Sequence, residues 1–124
     1  MIIGIGIDIL DIRRVEKLFV KFSERFENKI FTKDEIKFAQ KHSKYIEALA
    51  KIFSLKESVI KAISDVSGVA WHDIEILHET PKPTVKLSGL AIKKILAKSP
   101  NFNIHASVSD DPPYVTSLII IESL

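Results

Sequence analysis

The sequence contains no cysteine among its 124 residues, and it has only four glycines, five prolines and one tryptophan. The absence of cysteine excludes disulfides, thiolate metal ligands and a cysteine nucleophile. There is no low-complexity tract, no internal repeat and no apolar run long enough to cross a membrane. The apolar start reaches Asp8 too early for a signal-peptide core. We therefore expect one globular domain over residues 1–124, located in the cytoplasm and without a membrane partner.

Charge is distributed unevenly along the chain. The net charge is only +2, but residues 13–61 contain 13 of the 18 lysines and arginines and only 7 of the 16 acidic residues. That segment therefore carries +6, and the rest of the chain carries −4. A basic segment of this kind favours an acidic partner.

The longest periodic pattern runs from Tyr45 to Ser64 without glycine or proline, which predicts a long helix. At about 100° per residue its apolar side chains cover a broad arc, so most of the helix should be buried. Glu57 falls inside this arc, with Lys56 on its flank and Lys61 one turn further on. A buried carboxylate is costly unless it is paired or bound to a cation. Two interpretations remain open: an ion pair with Lys61 or a functional site.

The first twelve residues alternate in a way that predicts a strand. Gly4, Gly6 and Asp8 have the same parity, so the glycines should leave room for something to approach the face that carries Asp8. A dinucleotide-binding motif is excluded because Ile9 stands where its third glycine belongs. Asp8 is either a strand-end aspartate or a functional carboxylate.

The remaining pattern predicts an α+β fold, with an antiparallel sheet packed against the long central helix. Residues 13–30 form an amphipathic pattern typical of a helix with a basic face, and Thr32 with Glu35 is a capping box. The other predicted elements are a helix through about residue 41, strands over 73–77 and 84–87, a helix over 89–98 that begins after Ser88, and a hairpin of 103–109 with 114–122.

Three segments taken together resemble the holo-acyl-carrier-protein synthases, the small phosphopantetheinyl transferases: GIGIDILDIRR, FSLKESVIKA and IHASVSDDPPYVTSLIIIE. The resemblance extends over nearly the whole chain. Asp110 stands where many members have histidine, and Pro81 replaces the glycine before Lys-Pro. The residues at matching positions are Gly4, Gly6, Asp8, Arg14, Lys56, Glu57, Lys61, Ala62, Lys82, Pro83, His105 and Ser107.

The resemblance implies transfer of 4′-phosphopantetheine from coenzyme A to a serine hydroxyl of apo acyl carrier protein, releasing adenosine 3′,5′-bisphosphate in support of fatty acid biosynthesis. Asp8 and Glu57 would bind Mg²⁺, which prefers oxygen ligands and takes only one or two carboxylates. Lys61 would stabilise charge on the phosphates, so that the expected catalytic residues are Asp8, Glu57 and Lys61. The general base stays open between a metal-bound water, Asp8 and a loop carboxylate such as Glu35.

The resemblance also implies a homotrimer with active sites at subunit interfaces. His105 has a second interpretation as a hydrogen-bonded structural residue. The expected coenzyme A residues are Arg14, Lys61, Gly68, Pro83, His105 and Ser107. The expected carrier-protein docking residues are Arg14, Lys17, Leu18, Lys21, Phe22 and Arg25.

Two rival functions remain. The first is a nucleic-acid-binding domain that uses the basic helix, because clustered lysine and arginine are typical of such proteins. The apolar Leu18, Phe22 and Phe26 among these charges suit a protein partner better, so we expect no nucleic-acid partner. The second is a coenzyme A binding or regulatory subunit without catalysis, against which the intact set of Asp8, Glu57 and Lys61 argues.

Overall fold

A computed structural model describes all 124 residues and confirms the α+β fold. Two antiparallel sheets accompany five helices, and a single 3₁₀ turn, Trp71–Asp73, precedes the second strand. In chain order the elements are β1 (Ile2–Asp11), α1 (Ile12–Phe22), α2 (Glu24–Ile30), α3 (Lys33–Gln40), α4 (Tyr45–Ile63), β2 (Ile74–Leu77), β3 (Thr84–Leu87), α5 (Gly89–Leu96), β4 (Phe102–Asp111) and β5 (Tyr114–Ser123).

The larger sheet has the order β1-β5-β4, so the C-terminal strand lies between the other two. Asp8 is paired with Ser117, which is paired in turn with Val108. Along β1, Gly6, Asp8 and Leu10 are buried, while Ile5, Ile7 and Ile9 are exposed. Because side chains alternate across a strand, the sheet has a buried inner face and a solvent-exposed outer face.

The inner face of this sheet packs directly on α4, and the two predicted glycine positions make this contact possible. A Cβ atom on Gly4 would overlap the carbonyl oxygen of Ala62, and one on Gly6 would overlap that of Ser58. The expectation that these glycines allow a close approach is therefore confirmed. Since Asp8 follows on the same face, the approach brings its carboxylate against the middle of α4.

The basic segment forms two helices instead of the single helix predicted over residues 13–30. Ser23 interrupts it with a φ of 46°, and its N–H donates to the carbonyl of Phe19. The turn lets α1 bury Val15 while α2 buries Phe26 and Ile30. Phe26 then packs edge-to-face on Phe53 of α4. No glycine or proline marks this break in the sequence. The break accompanies the burial of these apolar side chains.

Lys56 is the most deeply buried charged residue of α4. The apolar arc of the sequence had instead predicted Glu57 to be the buried one. Lys56 is fully buried and donates to Glu35 Oε1 at 2.6 Å and to the carbonyl of Ile30 at 2.7 Å. The arc was misplaced because α4 is covered on several sides, by the sheet and by α1, α3 and β2. Glu57 consequently lies at the edge of the buried surface, with about a fifth of its side chain exposed.

None of the helices is long and apolar enough to span a lipid bilayer.

Candidate active site

Asp8 is the carboxylate at the centre of the candidate site. It lies on the inner face of β1 with only 5% of its surface exposed. Ser54 donates to its Oδ2 at 3.0 Å, and the Nζ of Lys61 approaches its Oδ1 at 3.2 Å. The same ammonium donates to the carbonyl of Ile7 at 2.8 Å, while half of the Lys61 side chain stays exposed. The ammonium therefore links the buried carboxylate to the solvent side of the site.

Glu57 shares this space with Asp8. Burial and, after it, the neighbouring Asp8 carboxylate raise the pKa of Glu57 from its ordinary value of 4.5 to about 7, against the opposing charges of Arg14 and Lys61. The guanidinium of Arg14 is 4.0 Å from Glu57 Oε1. Two carboxylates held this close together repel one another when both are ionised. A cation between them would remove that repulsion.

The position of Lys61 distinguishes the two interpretations of Glu57. The ion pair between Glu57 and Lys61 is not formed, because Lys61 turns toward β1 and contacts Asp8. That interpretation was wrong because it considered the isolated helix, whereas the strand packed against α4 offers Lys61 a buried carboxylate and a carbonyl. The structure therefore brings Asp8, Glu57, Lys61 and Arg14 together at one edge of the contact between β1 and α4.

Glu35 cannot serve as the general base, which corrects one of the alternatives left open above. Its side chain is fully buried. One carboxylate oxygen accepts from the N–H of Thr32 in the predicted capping box and from Lys56, and the other accepts from the N–H of Ile76. Each of these contacts is internal to the fold, so Glu35 has no oxygen available to a substrate.

The expected coenzyme residues of β4 do not lie beside Asp8. His105 and Ser107 are exposed on the outer face of the sheet, whereas Asp8 faces inward and β5 lies between the two strands. The Nε2 of His105 is 2.7 Å from Glu122 Oε1, in agreement with its second interpretation as a hydrogen-bonded residue. A single copy of the chain therefore does not bring these residues to Asp8.

Two further expected coenzyme residues occupy separate places. Pro83 lines a cavity of about 320 Å³ together with Lys44 and Lys51. Gly68 has a φ of +76° in the loop after α4, and a Cβ atom there would press on Leu90. Neither residue contacts the Asp8 carboxylate or the Lys61 ammonium.

The basic face predicted on the N-terminal helix exists and borders an apolar groove. Arg14, Lys17 and Lys21 are exposed on α1, and Arg25 is exposed on α2. A groove of about 300 Å³ lies beside them, with Arg25 and Lys29 at its rim. Its apolar lining consists of Leu18, Phe22, Phe26, Ile30, Phe53 and Trp71.

Sequence reasoning missed several of these residues. Trp71 reaches the groove from the turn before β2, a position that no local pattern indicates. Ser54 was missed as the partner of Asp8, although Ser54 and Ser58 are one helical turn apart within an apolar run. This repeated hydroxyl on one helix face was the available signal.

Comparisons with known proteins agree with this fold. A family profile described as the 4′-phosphopantetheinyl transferase superfamily matches residues 4–118. A holo-[acyl-carrier-protein] synthase of Bartonella bacilliformis is 40% identical over an alignment of length 130. The alignment covers 100% of this chain and 98% of that protein.

Solved structures give the same result. The crystal structure of holo-[acyl-carrier-protein] synthase from Neisseria meningitidis has a TM-score of 0.83 and 31% identity, with 99% of this chain and 100% of that chain covered. The holo-(acyl-carrier-protein) synthase from Bacillus anthracis in complex with CoA (3′,5′-ADP) has a TM-score of 0.79 and 29% identity, with 100% and 99% covered. The chain belongs to the 4′-phosphopantetheinyl transferase superfamily. The expectation of a phosphopantetheinyl transferase is thereby confirmed.

Proposed function

We propose that this enzyme transfers 4′-phosphopantetheine from coenzyme A to a serine hydroxyl of apo acyl carrier protein, in the cytoplasm and in support of fatty acid biosynthesis. The serine oxygen forms a bond to the phosphorus that bears pantetheine, and the bond from that phosphorus to the bridging oxygen breaks. Adenosine 3′,5′-bisphosphate leaves with the electron pair, and the serine proton passes to a base. The observation that supports this function best is the meeting of Asp8, Glu57 and Lys61 at one edge of the contact between β1 and α4.

Mg²⁺ is the cation that suits this donor set. No group of three or more acidic, histidine or cysteine side chains is present, so the protein offers two carboxylates. Mg²⁺ takes one or two carboxylates and completes its shell with waters and substrate phosphates. Asp8 and Glu57 would hold it, because burial and the neighbouring Asp8 carboxylate both raise the pKa of Glu57, and a divalent cation would offset both effects. When bound, the ion would neutralise charge on the pyrophosphate.

Lys61 supplies the mobile positive charge of the site. Its ammonium lies between the carbonyl of Ile7 and the carboxylate of Asp8, and half of its side chain is exposed. A flexible lysine in this position can turn to a phosphate oxygen and stabilise charge on the departing group. With Glu35 occupied by internal contacts, Asp8 is the remaining side chain among the proposed bases.

The outer face of the larger sheet supports a homotrimer in which the active site lies between subunits. Ile5, Ile7 and Ile9 are more than half exposed along β1, and Leu118 continues the apolar surface on β5. An apolar surface of this kind is typical of a protein interface. His105 belongs to the same outer face, so a neighbouring copy would be needed to complete the coenzyme site with it.

The basic face of α1 and α2 supports docking of an acyl carrier protein, whose acidic surface the family resemblance implies. Arg14, Lys17, Lys21 and Arg25 would attract this partner, because exposed charges set the association rate. The adjoining groove with Leu18 and Phe22 would receive an apolar side chain and set the lifetime of the complex.

Mass spectrometry tests the proposed function directly. Apo acyl carrier protein incubated with this enzyme, coenzyme A and Mg²⁺ should gain the mass of one phosphopantetheine arm, and the gain should fail when Mg²⁺ is chelated. A carrier protein of unchanged mass with all components present would contradict the proposal. DNA binding without any transfer would favour the rival function.

A further inference from the structure

Three buried serine side chains connect α4 to β5 behind the carboxylate of Asp8. The Oγ of Ser54 is 3.0 Å from Asp8 Oδ2 and 2.8 Å from the Oγ of Ser117. The Oγ of Ser58 is 2.6 Å from that of Ser117. Ser54 and Ser58 are fully buried, and Ser117 is 3% exposed. These hydroxyls are shielded from solvent, so they bond to one another and to Asp8, and Ser58 Oγ also lies 3.3 Å from the carbonyl oxygen of Ser117.

The direction of each hydrogen bond follows from proton counting. A hydroxyl has one proton to donate, and a carboxylate can only accept. Ser54 must therefore give its proton to Asp8, so Ser117 must donate to Ser54. The proton of Ser117 is then used, so the proton in the 2.6 Å contact between Ser58 Oγ and Ser117 Oγ comes from Ser58, for which the Ser117 carbonyl at 3.3 Å is the more distant acceptor. The three serines form a chain of donors that ends on Oδ2 of Asp8, and hydrogen bonds in such a chain strengthen one another.

We infer that Ser54 is a positioning residue for Asp8, an inference that rests on the proposed transferase function. The terminal torsion of an aspartate is broad, so the backbone of β1 alone does not fix the plane of the carboxylate. Ser54 holds Oδ2 toward α4, and Oδ1 is thereby turned toward Lys61. The oxygen left for a divalent cation is consequently placed before the cation arrives.

A helical serine has a simpler way to satisfy its hydroxyl, which is to donate to the carbonyl four residues earlier. Ser54 does not use it, because its Oγ faces the sheet and bonds to Asp8 and Ser117. Partners that orient a metal-binding side chain typically change metal affinity or activity by about 10–100-fold when they are removed. Loss of the Ser54 hydroxyl should fall in this range.

Binding of Mn²⁺, followed by electron paramagnetic resonance in the presence of coenzyme A and without carrier protein, tests the inference. Ser54→Ala should weaken Mn²⁺ binding about 10-fold. The matched control is Ser99→Ala, which removes another buried serine hydroxyl, one whose acceptor is the carbonyl of Asn101. Both variants should lower the thermal midpoint, but only Ser54→Ala should alter Mn²⁺ binding. Ser54→Cys keeps a weak donor and should bind Mn²⁺ with intermediate affinity.

Equal Mn²⁺ affinity for Ser54→Ala and Ser99→Ala would overturn the inference, even if the wild-type enzyme transfers phosphopantetheine. If Ser54→Ala does not fold, wild-type affinity in Ser54→Cys would overturn it in the same way. Absence of transfer by the wild-type enzyme would overturn the proposed function separately. In that case weaker Mn²⁺ binding by Ser54→Ala alone would still support the positioning of Asp8.

Discussion

Lys56 and Glu57 are neighbours on α4, and their charges are treated in opposite ways. Lys56 has no exposed surface. Its ammonium donates hydrogen bonds to the buried Glu35 carboxylate and to the carbonyl of Ile30. Glu57 faces a second carboxylate, has an arginine no closer than 4.0 Å, and keeps part of its side chain open to solvent. Lys56 and Glu35 form a closed pair that is shielded from solvent. Asp8 and Glu57 form an open pair of two carboxylates, with Lys61 in contact with Asp8 only. We therefore assign the closed pair to the stability of the fold and propose that the open pair serves the chemistry.

The largest effect should come from removing charge at the open pair. Asp8→Asn and Glu57→Gln should each lower the turnover number by about 10³-fold, because each removes a ligand of the cation that would stabilise charge on the reacting phosphates. Both variants should remain folded, since neither removes volume from the core. Wild-type turnover of either variant at limiting Mg²⁺ would refute the two-carboxylate site.

The opposite pattern is expected at the closed pair. Lys56→Ala leaves the Glu35 carboxylate buried without its cation and should destabilise the protein by about 3–5 kcal/mol. Burial also lowers the pKa of Lys56, although the Glu35 carboxylate opposes this shift. Chemical denaturation should show the loss of stability. A variant that unfolds like the wild type but no longer transfers phosphopantetheine would show that Lys56 is catalytic and that our comparison is wrong.

Lys61 should affect the rate more than the stability. Lys61→Ala should lower the turnover number on the order of 10²-fold with saturating coenzyme A, comparable to the loss of one transition-state contact. It also removes the ammonium beside the buried Asp8, but half of the Lys61 side chain is exposed, so the loss of stability should be smaller than in Lys56→Ala. An unchanged turnover number would remove Lys61 from the catalytic residues.

The basic face of α1 and α2 lies outside both pairs and should affect carrier-protein binding instead of turnover or stability. Reversing Lys21 and Arg25 to glutamate should raise the Michaelis constant for carrier protein about 10-fold and flatten its salt dependence, because exposed charges act mainly on association. Coenzyme A affinity should be retained. Equal weakening of coenzyme A binding, or carrier-protein kinetics like the wild type, would show that this face is not the docking surface.

Much of the fold could be predicted because its signals are local. The capping box at Thr32, the glycine-free run of α4 and the strand-forming residues after Tyr114 each specify an element from neighbouring residues. The break at Ser23 could not be predicted, since it depends on the burial of Phe26 against a distant helix.

The candidate site was predictable in composition but not in arrangement. Asp8 and Glu57 were each conspicuous as acidic residues in apolar patterns. Which charge of α4 is buried depends on every element packed around the helix, and Glu35 approaches from α3. The partner of Lys61 depends on how β1 lies against α4. Such contacts between distant segments leave no periodic signal in one sequence.

Stability as a function of pH is a direct test of whether Asp8 and Glu57 share a site for a divalent cation. The folded-state pKa of Glu57 is raised from 4.5 to about 7. Its contribution to stability is therefore fully present below about pH 4.5 and is lost as the pH rises through 7. Without divalent cations, the free energy of unfolding of the wild type should fall over this interval relative to Glu57→Gln, and Mg²⁺ should restore it near pH 7. Parallel profiles for the two proteins, with no response to Mg²⁺, would contradict the account.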